Sequence, residues 1–428
     1  MLIPTTSTIL LSPIGPSLTV QAHFVLQQPR ENYLPTQELT EVLCHQCNHC
    51  HTAGTFSYCT GCKLVRYCSK ENQAADWKNH KSRCKMLKDV YQGLVNWQES
   101  FMAWALGLGK FADPAFRART ATDCDMGQVG EIAPVGHPDQ TILGKVSKYG
   151  GVPNQYLVCR RAFLFCTYKL HSIDAYQQGY DQAMDMLILD RADKYKARYA
   201  APFHMLLLGK DQTAYDFLKW YITVAPTYDF SDTSLPFLDL HNANALESVD
   251  YITQSNWMDL DLSVLVAMMF LKLRISMDCQ NIKDFAATER KIEREKLAVP
   301  EPSPKAAPDG SGRMTRLVFK SSIVARNPFI QNESALNITH CQWQELYGLI
   351  NQRNPHFFHA LVVEPHKEGS FEWMDVIDLW KKPFERGSVK EAYWVVRECI
   401  EAFSITGGAF DSLEGYPEWL RRKEMGGV

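Results

Sequence analysis

Seven of the chain's 13 cysteines fall between residues 44 and 84, together with four histidines. Thiolates and imidazoles at short, regular gaps are the donor set of tetrahedral zinc. Cys59 and Cys62 form a CxxC pair, the spacing at which one tight turn brings both sulfurs to a single ion; Cys44 and Cys47 form another, and Cys50 extends it by one more step. Cys68 follows, and then His80 and Cys84, whose four-residue offset puts both on one face of a helix. The surrounding "ENQAADWKNHKSRC" holds neither proline nor glycine and suits such a helix. A module this small buries little apolar surface, so bound metal must supply much of its folding free energy.

With the paired cysteines, "CKLVRYCSKENQ" and "DWKNHKSRC" in view, residues 44–84 resemble a MYND-type zinc finger. The resemblance implies an interleaved fold around two zinc ions. One ion would take Cys59, Cys62, His80 and Cys84. The other would take the opening pair, Cys68 and a cysteine four residues beyond it, where this chain has Asn72. An asparagine amide is a poor zinc ligand beside a thiolate. Two accounts are open: only one zinc binds, or a neighbour replaces the missing thiolate. Cys50 is the natural substitute, since Cys44, Cys47 and Cys50 run at equal gaps and can join Cys68 as a four-sulfur set; His45, His49 and His51 are also in reach. Four protein ligands close each site, which is the pattern of structural zinc.

Members of this family are mostly protein-interaction modules, some recognising short proline-containing peptides, and the resemblance places Gln73 and Trp77 near that surface. From the residue types alone, Trp77 serves equally well to pack against the knuckles. Lys63, Arg66, Lys70, Lys78, Lys81, Arg83 and Lys85 make the module locally basic, which suits an acidic partner or a solvated rim. No aromatic interleaving or reading helix accompanies them, so direct nucleic-acid binding is not expected.

These ligands need a scaffold, and the remaining composition describes one. Over 428 residues the chain is 46% hydrophobic and 22% charged with a formal net charge of -3, an ordinary globular balance. The six other cysteines (Cys124, Cys159, Cys166, Cys279, Cys341 and Cys399) are scattered singly and read as reduced and mostly buried. The first positive charge is Arg30, and Pro4, Pro13 and Pro16 interrupt the apolar start, so no signal peptide is expected. The apolar run "LSVLVAMMFLKLRI" is short and contains Lys272, which reads as a core helix and not a membrane span. An intracellular protein of nucleus or cytoplasm is the expectation.

Along the chain, residues 1–43 read as a flexible arm, 44–84 as the zinc module, 85–292 as a helical domain, 293–316 as a linker or long loop, and 317–428 as a C-terminal helical segment packing on the body. Leu87, Val90, Tyr91, Leu94 and Val95 recur at helical spacing and predict a helix leading straight out of the finger. The fold class is thus mostly α, a small two-zinc module followed by a large helical body; stacking of antiparallel pairs into a solenoid is one arrangement open to it. "FFHALVVEP" reads as a short strand, and "APTYDFSDTSLPFLDLHNANA" as a long polar loop.

The competing class is an enzyme with its site in the helical body, such as a divergent protein-lysine methyltransferase. The family also occurs beside SET domains, and "NITHC" at 337–341 faintly resembles their signature, without the serine before the cysteine and without strand-rich surroundings. Asp211, Asp216 and Lys219 fit the solvated side of a helix whose Tyr215, Leu218 and Trp220 face inward. Asp190 and Asp193 lack a partner motif for magnesium, His356, His359 and His366 read as ordinary histidines, and no nucleophile–base–orienter set lies close in sequence. The expectation is a zinc-binding adaptor, with a role in transcriptional regulation.

Overall fold

The computed structural model describes residues 46–106, 154–232, 234–298, 321–326, 333–363 and 384–406, together with Ala409 and Leu413. Among them lie two short strands and eleven α-helices. Strands β1 (Ser57–Tyr58) and β2 (Arg66–Tyr67) pair antiparallel, Ser57 opposite Tyr67 and Tyr58 opposite Arg66. The helices are α1 (Lys70–Leu106), α2 (Asn154–Tyr168), α3 (Ile173–Leu189), α4 (Ala197–Leu207), α5 (Asp211–Thr223), α6 (Asp250–Thr253), α7 (Leu262–Ala298), α8 (Ser322–Arg326), α9 (Glu333–Arg353), α10 (Phe357–Val363) and α11 (Val389–Ile405). The mostly helical fold expected from the periodicity is the one present.

Helix α1 explains how a metal module joins a hydrophobic body. Its inward stripe begins with His80 and Cys84 and continues, at the same three- and four-residue steps, with Leu87, Tyr91 and Leu94. One helix face therefore changes from metal ligands to hydrocarbon without a break. The hydrocarbon part packs on α2, where the Tyr91 and Phe163 rings lie 5.8 Å apart.

Successive helices then pack in chain order: α2 on α3, α3 on α4 and α4 on α5. Helix α7 lies centrally and touches α4, α5, α9 and α11. Its residues from Val264 to Phe270 are essentially without solvent contact, which is why that run shows no polar face. Lys272, also fully buried, spends its three donors on Ala245 O (2.7 Å), Glu247 O (3.0 Å) and Gln342 Oε1 (2.8 Å). It ties the long loop after α5 to both α7 and α9, while burial pushes its pKa down to about 7. No described helix is long and apolar enough to cross a membrane.

Between α3 and α4 the approach is close enough to demand glycine. A Cβ on Gly179 would stand 1.9 Å from His204 Nε2. His204 is fully buried, donates from Nδ1 to Ala200 O and meets Thr167 Oγ1 at 3.1 Å. Burial holds its pKa down at about 3, so the ring is neutral. At the far side, Arg161 of α2 pairs with Glu398 of α11, both wholly buried, and the guanidinium lies over the Trp394 ring.

Several expectations change. "FFHALVV" is helix α10, not a strand: Asn354 Oδ1 accepts from His356 N at the turn, and Phe357, Phe358, Ala360 and Leu361 are all buried. A run buried on more than one side carries no period from which to separate helix and strand. Asp211 and Asp216 do not face solvent. Asp211 lies beside Arg274 and accepts from Ser322 N, and Asp216 accepts from Asn242 N and Ala243 N, fastening the loop that follows α5. Tyr215, Leu218 and Trp220 are buried as expected. Helix α7 runs on to Ala298, past the residue 293 where the linker was placed. The arm at 1–43, the rest of that linker, Cys124, His366 and the tryptophan-bearing tail lie outside the described residues.

Candidate metal centre

Two turns in the finger share one backbone design. Lys63 N donates to Cys59 O at 2.9 Å, and Lys63 takes a left-handed φ of 60°. His51 N donates to Cys47 O at 2.9 Å, with a φ of 56°. Each first cysteine also donates its own N–H forward, Cys59 to Val65 O and Cys47 to Thr52 O. Each turn holds a cysteine pair, Cys47 with Cys50 in the first along the chain and Cys59 with Cys62 in the second. Gly61 sits inside the second, where a Cβ would come 2.6 Å from Cys84 Sγ.

Zinc with Zn–S near 2.3 Å and Zn–N near 2.1 Å makes a tetrahedron with S···S edges of about 3.8 Å and S···N edges of about 3.6 Å. Cys59, Cys62, His80 and Cys84 form a buried group whose ligand atoms all lie within 4.8 Å of one another. Within it, Cys59 Sγ is 3.8 Å from Cys84 Sγ, and His80 Nε2 is 3.5 Å from Cys62 Sγ and 3.4 Å from Cys59 Sγ. The edges are those of a zinc tetrahedron. The hydrogen bond from the neighbouring Cys62 thiol, with a further one from His80, brings Cys59 down to about 3, while burial lifts Cys84 to about 11. A bound zinc ion would hold all three sulfurs as thiolates.

Cys47, Cys50 and Cys68 make the second group, Cys47 buried and the other two exposed. Cys50 Sγ and Cys68 Sγ are 3.6 Å apart, again near one tetrahedral edge. The Thr52 hydroxyl and backbone lower Cys50 to about 7. Asn72 faces this group: its Nδ2 donates to Cys68 Sγ at 3.0 Å and to Cys50 Sγ at 3.3 Å. The Asn72 amide favours the Cys68 thiolate, but Cys50 and Cys47 beside it outweigh that, and its pKa moves upward. The two groups fit two zinc ions, and zinc is the cofactor of this finger. Cys44 and His45 lie outside the described residues; His49 and His51 are exposed and belong to neither group.

The two groups share supports. The Tyr67 hydroxyl donates to Asp76 Oδ2 at 2.6 Å, and Asn48 Nδ2 reaches the same oxygen at 3.4 Å, so one buried carboxylate on α1 holds β2 and the first knuckle. Trp77 stands 6.2 Å from the His80 ring, and 42% of it remains exposed. Gln73, one turn earlier, is half-buried.

A feature the sequence did not disclose is the clamp between finger and body. Arg66 of β2 makes two bonds to Asp174 of α3, at 2.6 and 2.7 Å, and Ser172 Oγ donates to Leu64 O at 2.5 Å. Ser172 and Asp174 are visible as an N-cap and first-turn acid, and Ser172 Oγ does accept from Ala175 N. Nothing in their types points to Arg66, 108 residues earlier.

Residues 44–84 match the family described as MYND finger. Among curated proteins, SET domain-containing protein 14 of Caenorhabditis elegans is 46% identical over 43 residues, which are 10% of this chain and 10% of that protein. The similarity spans only that tenth of the relative, the finger region. No solved structure matches. The segment is a zinc-binding protein-interaction module, carried on a helical body.

Proposed function

We propose that this protein is an adaptor whose zinc finger presents an aromatic, lysine-lined helix face to a short, proline-containing acidic segment of a partner protein. The observation that carries the reading is the exposed side of α1. Lys70, Trp77, Lys81, Lys85 and Lys88 are all exposed, and at 3.6 residues per turn they fall within about a quarter of the helix circumference. Between residues 46 and 85 the finger has seven Lys or Arg against Glu71 and Asp76, and Asp76 is buried. An indole flanked by ammonium groups accepts a proline ring or aliphatic side chain on its face while carboxylates on either side meet the lysines. A nuclear or cytoplasmic setting and a regulatory task in transcription accord with such an adaptor.

In the same reading, the zinc ligands are Cys59, Cys62, His80 and Cys84 at one site, and Cys44, Cys47, Cys50 and Cys68 at the other. Both are closed and structural. The enzyme reading gains no support from "NITHC", which lies inside helix α9 with His340 and Cys341 exposed.

Fluorescence anisotropy on the full chain tests the partner reading, using a labelled peptide with a central proline flanked by glutamates. Binding should weaken as salt rises, and Trp77→Ala or Lys81→Glu should each lower affinity about tenfold or more. Equal binding of the peptide by the Trp77→Ala variant sinks it. So does binding of a neutral peptide as tightly as the acidic one.

A further inference from the structure

Charge is divided unevenly along this chain. Between residues 46 and 85 seven Lys or Arg stand against two acids, one of them buried; from Trp220 to Leu271 there are seven acids and no Lys or Arg. Three of those acids are answered within the body: Glu247 by Lys219, Asp259 by Arg386 and Asp261 by Arg198. Asp229, Asp232 and Asp239 belong to the loop that follows α5. Hydrogen bonds from Ser231 and Ser234 hold the carboxyls of Asp229 and Asp232 below the usual range, so both are ionised. The body holds this loop in shape from beneath. Arg191 donates to the Tyr228 hydroxyl at 3.0 Å and to Leu235 O at 3.1 Å, and Trp220 Nε1 donates to Asp239 Oδ1 at 3.1 Å. The rings of Tyr228, Phe230 and Phe237 pack around the buried Trp220, and Asp229, Pro236 and Asp239 are left exposed.

Finger and loop are fixed to opposite ends of one helix. The finger is bonded at the start of α3, through Ser172 and Asp174, and the loop just past its end, through Arg191. Seventeen residues of helix set these anchor points about 25 Å apart. With both anchors in place, the loop is held away from the finger of its own chain. We propose that the Trp77 face of the finger receives the acidic loop around Pro236 of a second copy of this chain, so that molecules associate head to tail. The proposal rests on the reading of that face given above and names its partner. Asp229, Asp232 and Asp239 meet the ammonium groups of Lys70, Lys81 and Lys85, and Pro236 meets the indole. Complementary charge sets the orientation, and a loop already held in shape loses little entropy on docking. Each contact uses one surface from one molecule and a different surface from the next. A dimer therefore keeps one finger and one loop unused and adds further copies.

Sedimentation velocity on the full chain, over a range of concentration and salt, tests this. At low salt the mean mass should rise with concentration past that of a dimer, and it should fall back toward the monomer as salt screens the contact. Trp77→Ala and Asp229→Lys should each weaken self-association about tenfold or more. Pro236→Ala, which leaves the Arg191 and Trp220 bonds of the loop in place, should weaken it in the same direction. An equimolar mixture of Trp77→Ala and Asp229→Lys chains should form a 1:1 dimer that grows no further, because the first brings an intact loop and the second an intact finger. A wild-type chain that stays monomeric throughout, yet binds the glutamate-flanked proline peptide, overturns the proposal and leaves the Trp77 face to a different partner. A chain that does neither overturns the reading of that face as well. Association unchanged by both Asp229→Lys and Pro236→Ala puts the contact elsewhere and overturns the proposal. So does a mixture in which neither the Asp229→Lys chain nor the Pro236→Ala chain pairs with Trp77→Ala.

Discussion

In the finger, from Gln46 to Ser69, the fully enclosed side chains are Cys47, Cys59, Cys62, Val65 and Tyr67; from Tyr156 onward they are dominated by leucine, alanine, methionine, valine and aromatic residues. The first region has almost no hydrocarbon to withdraw from water, and its cysteines converge on two points. The second has a continuous apolar interior, with several of its buried charges matched in pairs such as Arg161 with Glu398 and Arg353 with Glu391. The two therefore answer to different variables. Free zinc and thiol protonation govern the finger, whereas temperature and denaturant govern the body through buried area. What joins them is α1, whose single inward stripe carries ligands at one end and leucines at the other.

Stripping zinc should break the comparison most visibly. A strong chelator withdraws metal-binding free energy that is on the order of 10 kcal/mol in zinc-finger modules. Hydrogen exchange should then show residues 46–69 opening while α4, α5 and α7 keep their protection. Loss of protection throughout would mean the two regions share one cooperative unit.

Next in size is the body's own charge pair. Arg161→Ala leaves the buried Glu398 carboxylate alone and should cost about 3–5 kcal/mol in urea unfolding. Zinc content should not change. Replacing both partners by apolar residues should recover most of the loss, since the pair contributes far less than one of its members left unpaired.

The clamp tests how far the regions are coupled. Arg66→Ala removes two charge-assisted bonds to Asp174, groups about one-fifth exposed, and should cost about 1–2 kcal/mol. The loss should appear as easier opening of the finger relative to the body, with both zinc ions still bound.

The smallest effect is a pH term that belongs to the body. His204 titrates near 3 when folded against 6.5 when exposed, so the unfolded chain binds the extra proton between those values. Stability from this group is complete above pH 6.5 and declines as pH falls toward 3, by about 1 kcal/mol between pH 6.5 and 5.5. Comparing urea midpoints of the wild-type chain and a His204→Gln variant across that interval isolates it; parallel curves would refute it.

Much of this was legible in the residues. Helical spacing located α1, the apolar run before Lys272 located α7, and cysteine spacing located the finger and its buried ligand group. The failures share a cause: they concern where elements meet. Asp211 and Asp216 look solvated by type, and only the approach of Arg274, α8 and the loop at 242–243 makes them interior groups. Asn72 looks like a vacancy when ligands are judged by chemistry alone. Its use as a donor becomes visible when two sulfurs stand within 3.3 Å of its nitrogen. "FFHALVV" misleads because burial on several sides erases the period.

The continuity of α1 also makes it a protractor. Its 37 residues span about 55 Å, and each residue advances the backbone by about 1.5 Å and turns it by about 100°. The bearing of the Trp77 face relative to α2 is thus set by residue count, as teeth set the phase of a gear. One residue inserted near Asp89 would swing that face a quarter-turn and more, and Arg66 would swing with it, away from Asp174. Bearing and clamp cannot both survive the insertion, so the number of residues between Trp77 and Leu94 is itself a fixed quantity of this molecule.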